Sequence, residues 1–175
     1  MASIKKYIPN TLSITRLLIA LIFPLVFFHE NFYLSIVIFF IGILTEFSDG
    51  YLARKWNVKT NNGKKIDHLA DKWFIGMALF SLAAIDNILI FILFILELLI
   101  SDSGFFTDIK DTHFTNIIAK VKLIVLFITI IIGVYVSIDS NMEILFWIFI
   151  GGTFLMQLIT IINYFNLSFQ KKNKK

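Results

Sequence analysis

Six apolar segments alternate with polar connections along this chain, and every lysine and arginine falls on one side of that alternation. The segments run roughly 11–29, 32–54, 66–86, 87–100, 114–138 and 142–166. A straight helix needs about 20 residues to cross a bilayer, so each segment is expected to be a membrane span. The fourth is short at its apolar core, and it either extends through Ser101 to Ser103 or enters the bilayer at an angle. Pro24 lies inside the first span, where a missing N–H and a bulky ring are expected to kink the helix. The basic residues belong to the N-terminus, the second and fourth connections, the C-terminus, or the helix ends beside them. The connections near His29–Asn31, Asp86–Asn87 and Asp139–Glu143 contain no Lys or Arg. Basic residues gather on the cytoplasmic side of a membrane, so both termini are expected in the cytoplasm. Moving any one span would scatter the charges over both faces, which supports the count of six.

The fold class expected is therefore an all-α membrane protein with six transmembrane helices. Hydrophobic residues make up 58% of the chain, and the mean hydropathy is +0.82. Both values are far above those of a soluble domain, so residues 1–175 are read as one integral-membrane domain. Residues 1–10 are short and basic and read as an interfacial segment; 167–175 read as a solvated basic tail. The apolar run from Leu17 to Phe28 is followed by no small-residue cleavage site, so the start does not read as a cleaved signal peptide. The net charge of +4 suits an anionic membrane surface and gives no reason to invoke nucleic acid. The chain has no cysteine, which excludes disulfide and thiolate chemistry.

Chemistry is concentrated between the second and third spans. The 26 residues from Glu46 to Asp71 hold four acids, Glu46, Asp49, Asp67 and Asp71, with Gly50, Gly63 and Arg54 at fixed spacings between them. Acidic side chains cost roughly 2.5–3.5 kcal/mol each at the centre of a membrane helix, so four together call for a use. Glu46, Asp49 and Ala53 are three and four apart, on one helical face at the end of span 2. Asp67 and Asp71 are four apart at the start of span 3. A short connection makes the two helices antiparallel neighbours, so both acidic faces are expected to meet just inside the cytoplasmic boundary. Four converging carboxylates repel one another and do not all stay ionised unless partnered. Divalent metal resolves this, and oxygen-only ligands favour a hard ion such as Mg²⁺ or Mn²⁺. Mg²⁺ commonly bridges carboxylates to substrate phosphates, which implies a phosphate-bearing ligand. Gly50 and Gly63 leave room for close approach, and Arg54 can clamp phosphate oxygens. The bland alternative is that Glu46 and Asp67 are helix-terminal charges paired with Lys64 or Lys65. A cation transporter would also carry intramembrane acids, but near the bilayer midplane rather than at its edge.

The stretch reads Glu46-x2-Asp49-Gly50-x2-Ala53-Arg54-x8-Gly63-x3-Asp67-x3-Asp71. It resembles the pattern D-x2-D-G-x2-A-R-x8-G-x3-D-x3-D of the CDP-alcohol phosphatidyltransferases, differing only in its first position. The opening from Pro9 to Arg16, PNTLSITR, looks like the P-N-x-L-T-x-x-R start of bacterial phosphatidylglycerophosphate synthases and related cardiolipin synthases, and DGYLARKW and LADKW are similar to the same branch. The resemblance extends to about residue 125. It implies transfer of a phosphatidyl group from CDP-diacylglycerol to an alcohol, with release of CMP, in phospholipid biosynthesis. It further implies two metal ions held by Glu46, Asp49, Asp67 and Asp71, with Asp71 also the general base. Asp49, Gly50, Ala53, Arg54, Gly63 and Asp67 would bind the CDP moiety, and Lys120 and Lys122 the acceptor. The implied location is the plasma membrane of a bacterium, multi-pass, with the active site facing the cytoplasm, and a homodimer is expected.

Three departures bear on the acceptor and the metal. Glu46 carries its carboxylate about one carbon further out than Asp, and Mg²⁺ demands near-ideal geometry. Where the synthases carry an Arg-Glu pair at the end of span 4 and a further Arg, this chain has Leu96-Glu97 and then no Arg until the loop acids Asp102, Asp108 and Asp111. His68 stands where an apolar Asp-Pro stretch is usual, and reads as a solvated interface residue. Glycerol 3-phosphate, an anion, is the acceptor the resemblance favours, with Lys120 and Lys122 as its cations. The missing arginines leave open another acceptor, cardiolipin-type or uncharged, or a degenerate paralogue that binds CDP-lipid without turnover.

Overall fold

A computed structural model describes residues 2–56, 61–85, 88–106 and 113–172. Six long helices account for nearly all of them: α1 (Ala2–Phe28), α2 (Phe32–Lys55), α3 (Asn61–Ala83), α4 (Ile88–Phe106), α5 (His113–Val136) and α6 (Glu143–Lys172). Each of the six expected segments is helical over nearly all of its described residues. Among the described residues, four stretches are long and apolar enough to cross a membrane: Thr11–Phe28, Phe32–Asp49, Ile117–Val136 and Ser140–Asn163. α4 carries a shorter apolar run, Ile88–Ile100, and its helix continues through Ser101–Ser103, one of the two alternatives expected, to Phe106. α3 carries Lys64, Lys65, Asp67, Asp71 and Lys72 in its first half, which dilutes its hydropathy.

Two boundaries differ from the sequence reading. Residues 2–10 are helical and continuous with α1, which also runs unbroken through Pro24. The basic tail is helical as far as Lys172, so α6 outlasts its apolar stretch by several polar residues.

The chain divides into two compact units, 1–81 and 82–175. In the first, α1 and α2 form an antiparallel hairpin closed by a three-residue turn. The Glu30 and Asn31 N–H groups donate to the Phe27 and Val26 carbonyls at 3.0 and 3.2 Å, and Glu30 takes φ 60°. This is the Schellman ending of a helix, with a non-glycine residue in the left-handed position. Asn31 then caps α2, its Oδ1 accepting from the Leu34 N–H at 3.3 Å. α3 joins through aromatic packing: Phe74 stacks on Phe39 at 4.9 Å, and Phe39 meets Phe23 of α1 at 5.7 Å. All three rings are buried. A row of large apolar side chains, among them Leu18, Leu21, Leu25, Val37, Phe40 and Leu44, instead faces outward, as lipid-contacting faces do.

Gly42 allows that aromatic packing. A Cβ there would lie 2.3 Å from Phe74 Cζ, and Phe74, buried and stacked on Phe39, has nowhere to move. Gly42→Ala is therefore expected to destabilise the protein by about 1–3 kcal/mol through overpacking, read as a fall in the thermal unfolding midpoint in detergent.

In the second unit α6 packs against both α4 and α5, around Leu93, Leu126, Ile130, Val134, Phe146 and Ile150, all buried. A short 3₁₀ turn, Ser140–Met142, connects α5 to α6, with Asp139 accepting from the Asn141 N–H at 3.0 Å. Thr129 and Thr153 share a buried hydrogen bond of 2.6 Å between the two helices.

Candidate active site

Helix periodicity brings the first pieces together. Counting from the hairpin turn, Arg16 lies twelve residues back along α1 from Phe28, and Thr45 thirteen residues forward along α2 from Phe32. At about 1.5 Å per residue, the two reach the same depth. The hairpin thus sets Arg16 against the stretch of α2 that carries Thr45, Glu46 and Asp49. Asp67 and Asp71 occupy successive turns of α3, so both carboxylates point the same way.

Arg16 is where these side chains converge. Its Nη2 donates to Asp49, and its Nη1 donates to Asp71 and, at 3.2 Å, to Asp67 Oδ1. Its Nε reaches Thr45 Oγ1 at 3.4 Å, and that hydroxyl in turn donates to the Gly42 carbonyl at 2.6 Å. Three helices therefore supply one charge cluster, with the cation fully buried. Access rises across it: side-chain exposure is 5% at Asp49, 30% at Asp71 and 43% at Asp67. The two α3 carboxylates thus present an accessible edge over a closed floor.

Of the four acids that the sequence reading grouped, Asp49, Asp67 and Asp71 meet at Arg16, and Glu46 makes no ion pair there among the described residues. That reading counted Arg16 as one topology-marking basic residue among sixteen and missed its role. The available signal was an arginine inside the apolar stretch from Thr11 to Phe28, since a charge in a membrane helix ordinarily faces a partner. Asp67 pairs with Arg16; the side chains of Lys64 and Lys65, its bland partners, lie outside the described residues. So do the side chains of Gly50, Ala53 and Arg54, although all three positions are in α2, and Asp102, Asp108 and Asp111. Gly63 sits inside the first turn of α3, and His68 is exposed on α3.

Whether the acids suit a divalent cation can be tested on their chemistry. The donors are all carboxylate oxygens, the set preferred by hard ions. One guanidinium offsets only part of their charge, and Glu46 Oε2 is buried with no hydrogen-bond partner. An acceptor orphaned in that way calls for a further cation. Among the described residues no three Asp, Glu or His groups close on a common point at metal-binding spacing; three of the four acids close on Arg16. By donor type the acids suit a hard cation; as placed, three of them are held by Arg16.

The second unit holds a separate buried polar cluster. Lys122 Nζ of α5 donates to both Glu97 oxygens of α4, at 2.6 and 2.8 Å. Gln157 of α6 donates to Glu97 Oε2 and to the Leu93 carbonyl, each at 3.2 Å. Its own Oε1 is buried without a partner. Of the two lysines expected to bind acceptor, Lys120 is exposed, whereas Lys122 is buried and engaged by Glu97.

The chain belongs to the CDP-alcohol phosphatidyltransferase family: the family's sequence model matches residues 6–164, which takes in both the Arg16 cluster and the Glu97–Lys122 pair. Within that family it is 30% identical over 176 residues to the CDP-diacylglycerol–glycerol-3-phosphate 3-phosphatidyltransferase of Rickettsia bellii, covering 93% of this chain and 95% of that one. The enzyme of the same name from Rickettsia felis is 38% identical over 88 residues, an alignment that spans only about half of each chain (49%). The cardiolipin synthase (CMP-forming) of Rattus norvegicus is 38% identical over 82 residues, 46% of this chain and 27% of that one. No solved structure matches the chain.

Proposed function

We propose that this protein transfers a phosphatidyl group from CDP-diacylglycerol to the hydroxyl of an alcohol, releasing CMP, with glycerol 3-phosphate as the acceptor. The observation that carries this reading is the convergence of Asp49, Asp67 and Asp71, three of the family pattern's acids, on one buried point. Family membership and the Rickettsia relatives' names support it.

In this reading all six helices span the plasma membrane of a bacterium, with both termini and the acidic site facing the cytoplasm, where the nucleotide-linked lipid and a soluble acceptor meet. The one-sided distribution of Lys and Arg supports that orientation. Asp49, Gly50, Ala53, Arg54, Gly63 and Asp67 bind the CDP moiety. Glu46, Asp49, Asp67 and Asp71 hold two Mg²⁺ or Mn²⁺ ions. Bound there, the ions would neutralise the diphosphate and stabilise the departing CMP. Asp71 accepts the acceptor's hydroxyl proton; its partial exposure leaves it reachable, while the Arg16 bond fixes its direction. The acceptor oxygen forms a bond to the phosphorus that carries the diacylglycerol, and the bond from that phosphorus to the oxygen of CMP breaks, so the proton and the leaving group are both accounted for. Lys120 and Lys122 supply positive charge for the acceptor's phosphate. A homodimer in the membrane completes the reading.

A second acceptor class is favoured by one specific observation. Lys122 is already bound by Glu97, which weakens the case for an anionic acceptor and suits a cardiolipin-type or uncharged alcohol.

The deciding assay measures CMP release by purified protein in detergent with CDP-diacylglycerol and Mg²⁺ or Mn²⁺, offering glycerol 3-phosphate, phosphatidylglycerol, inositol phosphate and serine separately. Release with glycerol 3-phosphate alone, abolished by a chelator, is the expected result. Release with another acceptor only would move the assignment to that branch. CDP-lipid binding with no release under any condition would make the protein a binding paralogue.

A further inference from the structure

The acids of the site have a role in the reading above; the arginine at their centre has none. Arg16 is not a surface cation reaching inward, because its side chain is wholly buried. Every nitrogen of its guanidinium is committed to the same few groups: Nε to Thr45, Nη1 to Asp67 and Asp71, Nη2 to Asp49. It comes from α1, whereas the carboxylates come from α2 and α3, so it ties the two acidic helices to each other through a third. Without it, three carboxylates, one buried and two partly exposed, would face one another with no cation between them, and their repulsion would push α2 and α3 apart.

We propose that Arg16 is an internal counter-cation, which keeps the carboxylate site assembled before metal is loaded and which divalent metal must displace. The proposal rests on the reading of Glu46, Asp49, Asp67 and Asp71 as metal ligands. Arg16 is a positioning residue in this scheme, acting on the reaction only through the carboxylates it holds. The physical basis is competition for the same oxygens. A divalent ion sharing those carboxylates with a guanidinium experiences like-charge repulsion in a poorly screened setting. Metal binding therefore works against the Arg16 contacts, and its net affinity is lowered by the strength of those contacts. Thr45 sharpens the argument. Its hydroxyl is anchored on the Gly42 carbonyl and accepts from Nε, so the guanidinium is held in place from the side away from the acids.

The two roles have opposite signatures. Removing the charge should weaken the metal-free protein, because the carboxylates lose their partner, and should tighten metal binding, because a competitor is gone. The experiment compares wild type, Arg16→Met, Thr45→Val and Asp49→Asn as full chains in detergent. It reads the unfolding midpoint in chelator and Mn²⁺ affinity by calorimetry or by the electron spin resonance of the free ion. For Arg16→Met, the expected results are a midpoint in chelator lower by about 6 °C or more and Mn²⁺ binding at least about fivefold tighter. Thr45→Val should move both quantities the same way by less, and it decides the matter if Arg16→Met does not fold. An unchanged midpoint, or unchanged or weaker Mn²⁺ binding, in the variant that folds overturns the proposal. If wild type binds Mn²⁺ and Asp49→Asn loses it, the metal reading stands however Arg16 fares. If wild type binds none, that reading fails and the displacement falls with it.

Discussion

Asp71→Asn is expected to lower CMP release by about 10²–10⁴-fold, the usual contribution of a positioned general base, while leaving the protein folded. Asparagine has nearly the same shape as aspartate, and its Oδ1 can still accept from Arg16 Nη1, so the contact that anchors position 71 survives. What is lost is the ability to take a proton, together with one negative charge in a site where four acids crowd one cation. The loss should appear in kcat and in kcat/KM alike, since the carboxylate acts in the transition state rather than in holding the lipid. Asp67→Asn provides the contrast. Asp67 is the most exposed of the acids bound to Arg16, through a longer contact, and its change should act mainly through nucleotide and metal affinity. Equal loss of kcat in both variants, with CDP-lipid binding retained, would remove Asp71 from the role of base.

How far the sequence led depends on what each feature rests on. All six helices were legible as apolar runs, four of them long and apolar enough to cross a membrane among the described residues, and the bounds at Phe28 and Phe32 follow from local turn chemistry. The pairing of acids on α2 and α3 was legible because spacings of three and four place residues on one helical face. Arg16 was not. Its place among the acids depends on the register between α1 and α2, which the turn at Glu30 and Asn31 sets, and no periodicity within α1 reports it. Glu97 shows the same gap. It drew notice for the arginine missing beside it, whereas its partner Lys122 lies 25 residues later, on another helix. Contacts between helices are decided by packing, and one sequence carries little information about them. Glu46 remains the departure with a physical trace: its longer side chain ends in a buried oxygen without a partner.

Breaking the Glu97–Lys122 pair from one side is expected to be the largest stability change in the second unit. Lys122→Met leaves Glu97, its side chain 15% exposed, with Gln157 as its one hydrogen-bonding side chain among the described residues. Glu97→Leu leaves an ammonium, 8% exposed, without its carboxylate. Each should cost about 3–5 kcal/mol, because a buried charge loses its compensation. Replacing both residues at once removes the desolvation cost along with the attraction, and the double variant should recover most of the loss. A cycle of thermal unfolding midpoints in detergent tests this: a double variant as unstable as the sum of the singles would mean that the two charges do not interact. The same variants separate structure from acceptor binding. If Lys122 serves only Glu97, the double variant should turn over with an unchanged KM for glycerol 3-phosphate. If Lys122 also meets the acceptor's phosphate, the double variant should be stable but carry a raised KM for that acceptor and not for an uncharged alcohol. Glu97→Gln, which keeps an acceptor for the ammonium but lifts its neutralising charge, should then lower the same KM.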